Sequence, residues 1–223
     1  MERFSISQSR GAVELMSLSE LWFALTTGKL TIVSSGCSER ECLLKLCPRR
    51  EQRAFFLAPR HRSILRRVLA GESQKSVAIE LELAVSTIAI TGSHALAAMG
   101  ARVSASRAPL LLALAAHAAA GVRLPPALLA RTDDCRSDEF VLIAQRPDIT
   151  LASSLSAAEC DVVHALVEGK TYAEIAARRQ RSKRTVANQL ASIFRKLRVR
   201  GRAELVGKLV REVARERPLD VFA

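Results

Sequence analysis

Between Ser182 and Leu197 the chain places Arg184, Asn188, Ala191, Ser192 and Arg195 at intervals that a helix brings to one face. The opposite positions, Val186, Leu190, Ile193, Phe194 and Leu197, make an apolar stripe. A carboxamide between two guanidinium groups, with small neighbours, is a surface that can approach DNA closely. Asn pairs bidentately with adenine, while Arg reads guanine or holds a phosphate. Ser182 stands where it would N-cap this helix and turn free amides towards an anion. The bland alternative is that both arginines are solvated charges on an ordinary surface helix.

Other chemistry lacks its residues. No nucleophile–base set, metal-ligand spacing or phosphate-binding glycine loop is present, so no enzyme, cofactor or metal site is expected. His94 and His117 read as surface or packed residues. The five cysteines form no Cys-x-x-Cys pair and read as reduced thiols rather than a zinc site or disulfide frame, with a Cys42/Cys47 redox pair as the minor alternative.

Composition agrees with a polyanionic partner. The 223 residues carry 34 Lys+Arg against 22 Asp+Glu, a net charge of +12, and the pI lies near 10.4. At 49% hydrophobic the chain can build a core, and the scarcity of aromatics, 4%, removes the anchors of a membrane-surface helix. No stretch approaches the roughly 18 to 20 apolar residues of a membrane span. The N-terminus has mixed charge and no apolar signal core. A cytoplasmic, nucleoid-associated protein is expected.

The elements that must position the helix recur. A shift of 98 residues superposes Cys37-x-x-x-Glu41-x-x-Leu44 on Cys135-x-x-x-Glu139-x-x-Leu142, Gly71 on Gly169, and Thr87-Ile88 on Thr185-Val186. The predicted fold is mainly α, a tandem repeat of a small β-hairpin plus a four-helix helix-turn-helix module. The domains are expected at residues 1–120 and 121–223, with Ala118 to Pro126 as the joint. Copy one has strands at Leu30 to Ser34 and Cys42 to Leu46, and copy two at Leu128 to Arg131 and Phe140 to Ala144, each pair joined by a charged turn. First helices run from Arg60 to Ala70 and from Ala157 to Glu168, each stopped by a glycine. Ser156 with Glu159 spells a capping box, and Thr171 starts the next helix as a cap, a phosphate contact or both. Thr185 contacts phosphate or bonds its own helix backbone, and Glu174 is read as structural.

Residues Leu155 to Val206 resemble the LuxR/GerE-type helix-turn-helix family. The resemblance rests on Leu155-Ser-Ala-Ala-Glu159, Gly169-Lys-Thr-Tyr-Ala-Glu-Ile-Ala176, Ser182-x-x-Thr185-Val186-x-Asn188 and Lys196-Leu197-x-Val199-x-x-Arg202-Ala-Glu-Leu205. It implies a bacterial transcription regulator whose third helix enters the major groove of double-stranded DNA and whose fourth often dimerises. It places base contacts at Arg184, Ala187, Asn188, Gln189 and Ala191. Backbone contacts are expected from Lys170, Thr171, Arg179, Arg181, Ser182, Lys183, Thr185, Arg195 and Lys196. Gln189 and Ala187 depart from the family's frequent His and Lys, and Arg179 and Arg181 stand where it buries Leu and Ile. The operator therefore cannot be borrowed from a relative.

Copy one keeps the frame without the charge. Its outward positions are Ser86, Ile90, Ser93, His94 and Ala97, and Gly92 takes the core position of Leu190. It reads as a degenerate module kept for packing, dimerisation or a partner. The apolar helix Pro109 to Ala120 must be buried between the copies or against a second chain. A homodimer held by copy one or by this helix is expected, on an inverted-repeat operator. RNA polymerase stands as a further candidate partner. The rival reading is an interaction protein, an anti-regulator that pairs with another regulator or with polymerase and does not itself read DNA.

Overall fold

The computed structural model describes residues 17–37, 41–49, 56–124, 130–132, 140–145 and 155–216. The first half contains helix α1 (Leu18–Thr26), strands β1 (Leu30–Cys37) and β2 (Glu41–Pro48), and helices α2 (Pro59–Leu69), α3 (Gln74–Glu80) and α4 (Val85–Ala98). A 3₁₀ turn (Ala105–Arg107) then leads to α5 (Leu110–Ala119). The second half contains β3 (Ala130–Thr132), β4 (Phe140–Gln145), α6 (Ala157–Val167), α7 (Tyr172–Arg178), α8 (Lys183–Leu197) and α9 (Arg202–Glu216). The fold is mainly α, as expected. The hairpin turns expected after Cys37 and at Cys135, and the Pro125-Pro126 part of the joint, lie outside the described residues.

Three helix pairs keep the 98-residue spacing. α2 and α6, α3 and α7, and the starts of α4 and α8 correspond in bounds. So do the left-handed residues that end them: Gly71 and Gly169, Glu82 and Gln180, Gly100 and Arg198. The fourth helices differ. α9 starts at Arg202, whereas the matching stretch of the first half is the 3₁₀ turn, because Pro109 cannot donate an amide to a continuing helix.

The two hairpins were expected as separate units. They form instead one four-stranded antiparallel sheet in the order β1-β2-β4-β3. In the β2–β4 pairing Leu44 faces Leu142, the residue 98 positions further on. Cys42 is held in a disulfide, which corrects the expectation of uniformly reduced thiols. Antiparallel pairing places Cys37 opposite Cys42 in the strand register. Cys47 is free, so no Cys42–Cys47 pair forms.

Helix α1 was not anticipated, although Ser17 and Glu20 spell its capping box. The Ser17 amide donates to Glu20 Oε2 at 2.8 Å and the Glu20 amide to Ser17 Oγ at 3.2 Å. Its buried face, Leu21, Trp22 and Leu25, covers α5. Every residue from Leu110 to His117 is buried, and α1, α2, β2 and α9 surround this helix. The expectation that α5 holds a homodimer is thereby corrected, since its apolar faces are satisfied within one chain. His117 follows the same logic: its Nδ1 lies 2.8 Å from the Ala113 carbonyl, and burial holds the imidazole below its ordinary pKa.

The halves meet backbone to backbone. A Cβ on Gly207 of α9 would lie 2.6 Å from the Ala70 carbonyl, and one on Gly71 would lie 2.9 Å from the Ala203 carbonyl. Only glycine permits the end of α2 to rest on α9 at this distance.

Candidate nucleic-acid interface

The C-terminal helices are fixed by their caps. Ser156 and Glu159 close the capping box of α6, with the Ser156 amide donating to Glu159 Oε2 at 2.9 Å. Thr171 and Glu174 do the same for α7, at 2.6 Å from the Thr171 amide to Glu174 Oε2. Thr171 caps α7, and Glu174 is structural as expected. Ser182 Oγ accepts from the Thr185 amide at 3.0 Å, and the two hydroxyls lie 2.8 Å apart. The Thr185 hydroxyl is thus bonded to a side chain rather than to its helix backbone.

Between α7 and α8 the chain turns at Gln180 with φ of 52°. The Arg181 amide donates to the Ala176 carbonyl at 2.9 Å. In the first half the corresponding helices α3 and α4 meet at 109°, within the helix-turn-helix range of about 90–120°.

The apolar stripe of α8 is inward: Val186, Leu190, Ile193 and Leu197 are buried and Phe194 is half-buried. Lys183, Arg184, Asn188, Ala191 and Arg195 are exposed on the other side, with Ala187, Gln189 and Ser192 half-buried beside them. Lys170 and Arg181 are exposed at the starts of α7 and α8. Two basic residues of the expected set are already engaged. Lys196 Nζ donates to both carboxylate oxygens of Glu159, at 2.7 and 2.8 Å, tying the end of α8 to the start of α6. That ammonium and the Ser156 bonds hold the Glu159 carboxyl below the ordinary carboxylate range. Arg179 lies 3.3 Å from Asp161.

Two arginines that sequence reasoning passed over hold the first half against this domain. Arg107 Nε donates to the Gly169 carbonyl at 2.8 Å, and its Nη2 lies 3.5 Å from Glu174. Arg202 donates from Nη2 to the carbonyls of Ala108 at 3.2 Å and Val167 at 3.4 Å. Burial, with Arg107 nearby, lowers the Arg202 pKa to about 10. Both fasten the turn from which α7 departs, and nothing in their local sequence marks that role.

The corresponding face of the first half is built differently. Ser86, Ile90, His94 and Ala97 are exposed on α4 and Ser93 is half-buried. At Gly92 an added Cβ would meet that of Ala105 at 3.1 Å, so the glycine lets the 3₁₀ turn pack close. Lys170, Arg179, Arg181, Lys183, Arg184 and Arg195 become, 98 residues earlier, Glu72, Leu81, Leu83, Val85, Ser86 and Ala97. None of these six positions keeps its positive charge.

Among the described residues no single helix is long and apolar enough to cross a membrane. No curated protein and no solved structure matches the chain. Residues 153–209, about a quarter of the chain, match the family model GerE, described as bacterial regulatory proteins of the luxR family. This stretch, with its capped α7–α8 turn and exposed basic face, is similar to the luxR-type helix-turn-helix domain of bacterial regulatory proteins.

Proposed function

We propose that the chain is a sequence-specific regulator that reads the major groove of double-stranded DNA with α8. One observation carries the reading: Arg184, Asn188, Ala191 and Arg195 are exposed along one face of a helix whose opposite face is buried. Asn188 reads a base edge, with Arg184, Ala187, Gln189 and Ala191 around it. Lys170, Arg181, Lys183 and Arg195 hold phosphates. Thr171, Ser182 and Thr185 present their capped helix starts to the backbone. Arg179 and Lys196 join the phosphate set only by releasing Asp161 and Glu159, so their share is smaller.

We further read the chain as two related modules, residues 1–120 and 121–223. The 98-residue correspondence of helix bounds and left-handed residues, and Leu44 facing Leu142 in the sheet, support this. Like positions pairing with each other are what a two-fold relation produces. The first module then supplies no DNA contact, because phosphate contacts dominate affinity and its face lacks their charge.

A second role of the first module follows from its exposed apolar residues. Ile79 and Ile90, 68% and 55% exposed, take the positions of Ala177 and Asn188 in the 98-residue register. With α5 sheathed inside the chain, this α3–α4 face is the surface through which two chains pair into a homodimer.

Selection of bound fragments from a random duplex pool tests the main reading. Enrichment of a defined site supports it. A pool without any enriched site leaves the rival reading, a protein that pairs with regulators or polymerase instead of DNA.

A further inference from the structure

A groove of about 280 Å³ opens between α1 and α2, far in sequence from the basic face of α8. Its apolar side is made by Trp22, Phe23 and Ala119, and Arg62 and Arg66 line it from α2. The two arginines are one helical turn apart and so stand on the same side of α2. Neither has a carboxylate partner among the described residues, whereas Arg67, next to Arg66, is paired with Glu72 and Glu80. Arg60 is exposed on the same helix, and α2 carries no acidic residue in its first turn.

We propose that this groove docks a peptide segment of a protein partner, one that inserts an apolar side chain between flanking carboxylates. The charge fixes the sign of the partner: two unpaired guanidinium groups at the edge of an apolar cleft favour carboxylates, which they bind bidentately. The shape separates a peptide from a nucleic acid. A duplex is too wide to enter a cleft of this size, and would leave the apolar side unused. A single strand would need an open ring face for stacking. Trp22 is only 4% exposed and offers little ring surface to a base, and Phe23 already carries Lys29 Nζ 5.4 Å from its centroid. The cleft accepts a side chain, and its rim accepts carboxylates. DNA reading by α8 is not assumed, so the two readings stand or fall separately.

Trp22 is the single tryptophan of the chain, so its emission reports on the groove directly. The full chain is titrated with a short peptide alternating Glu or Asp with Leu or Phe. The same peptide with Lys for its acids, and a dT oligonucleotide, are titrated in parallel. The expected result is a saturable change with the acidic peptide alone, weakened by salt. Binding falls about tenfold or more in the double variant Arg62→Glu, Arg66→Glu. Phe23→Ala, at a position 53% exposed and therefore safe for folding, weakens binding while its salt dependence persists. A flat titration, or an equal response to the lysine peptide, overturns the proposal. Preferential binding of the oligonucleotide assigns the groove to nucleic acid instead. A change with protein concentration alone assigns it to a second copy of the chain.

Discussion

At the scale of single residues, reading and positioning separate. Asn188 has no competing partner among the described residues and sits mid-helix, where an amide can meet a base edge. Asn188→Ala is expected to cost about 1–3 kcal/mol on the true site and little on random DNA. Arg195→Ala should weaken both and flatten the salt slope by about one. Anisotropy titrations on the two DNAs check this, and equal losses for both mutants on all sequences would remove Asn188 as the reader. Glu159 carries a different prediction. Its carboxyl is held below the ordinary value of 4.5, chiefly by Lys196, so the charged form favours the folded state. The resulting stability is present above that value and disappears as pH falls through the lower, folded-state pKa. Glu159→Gln should therefore be less stable than the parent at neutral pH, and the gap should close on acidification below 4.5. Chemical denaturation across pH measures it; a gap independent of pH would mean packing rather than charge.

At the scale of elements, the critical joint is α9 against the end of α2. Replacing Gly207 by Ala adds helix propensity of about 1 kcal/mol. It also drives a Cβ to 2.6 Å from a carbonyl oxygen of the main chain, which cannot rotate away as a side chain would. Overpacking of this kind costs about 1–3 kcal/mol, so the clash outweighs the gain and the variant is expected to melt lower. Gly201→Ala, where an added Cβ meets nothing within 4 Å, is the matched control and should be near neutral. If both behave alike in thermal unfolding, the backbone contact does not limit the joint.

At the scale of the whole molecule, charge and apolar surface are divided between two similar frames. α8 keeps exposed arginines and a carboxamide, while α4 presents Ile90 among small residues. The pairing proposed through that face predicts a dimer in light scattering that Ile90→Asp converts to a monomer. Circular dichroism should stay native, since Ile90 supports no core contact at 55% exposure. A wild type that is monomeric at all concentrations, with a footprint covering a single half-site, would discard the homodimer. A monomer protecting two half-sites would return DNA binding to α4.

Local physics made much of this legible in the sequence alone. The stripe of α8, the caps at Ser156, Thr171 and Ser182, and the glycine stops at Gly71 and Gly169 depend on residues within a turn or two of each other. The expected first helices, Arg60 to Ala70 and Ala157 to Glu168, differ from Pro59–Leu69 and Ala157–Val167 by a residue at their ends. The family resemblance rested on the same local patterns, and the model match at residues 153–209 covers the same segment. What tertiary structure alone decided involves partners far apart in the chain. Strand periodicity predicts a strand but not its neighbour, so the pairing of β2 with β4 and the exposure of Cys42 to a disulfide partner were not readable. The helix Pro109 to Ala120 announced that it must be buried, and only the packing of α1 over it showed that its own chain does the burying. Likewise, Lys196 looked like a free cation until the fold brought Glu159, 37 residues earlier, within 2.7 Å of its ammonium.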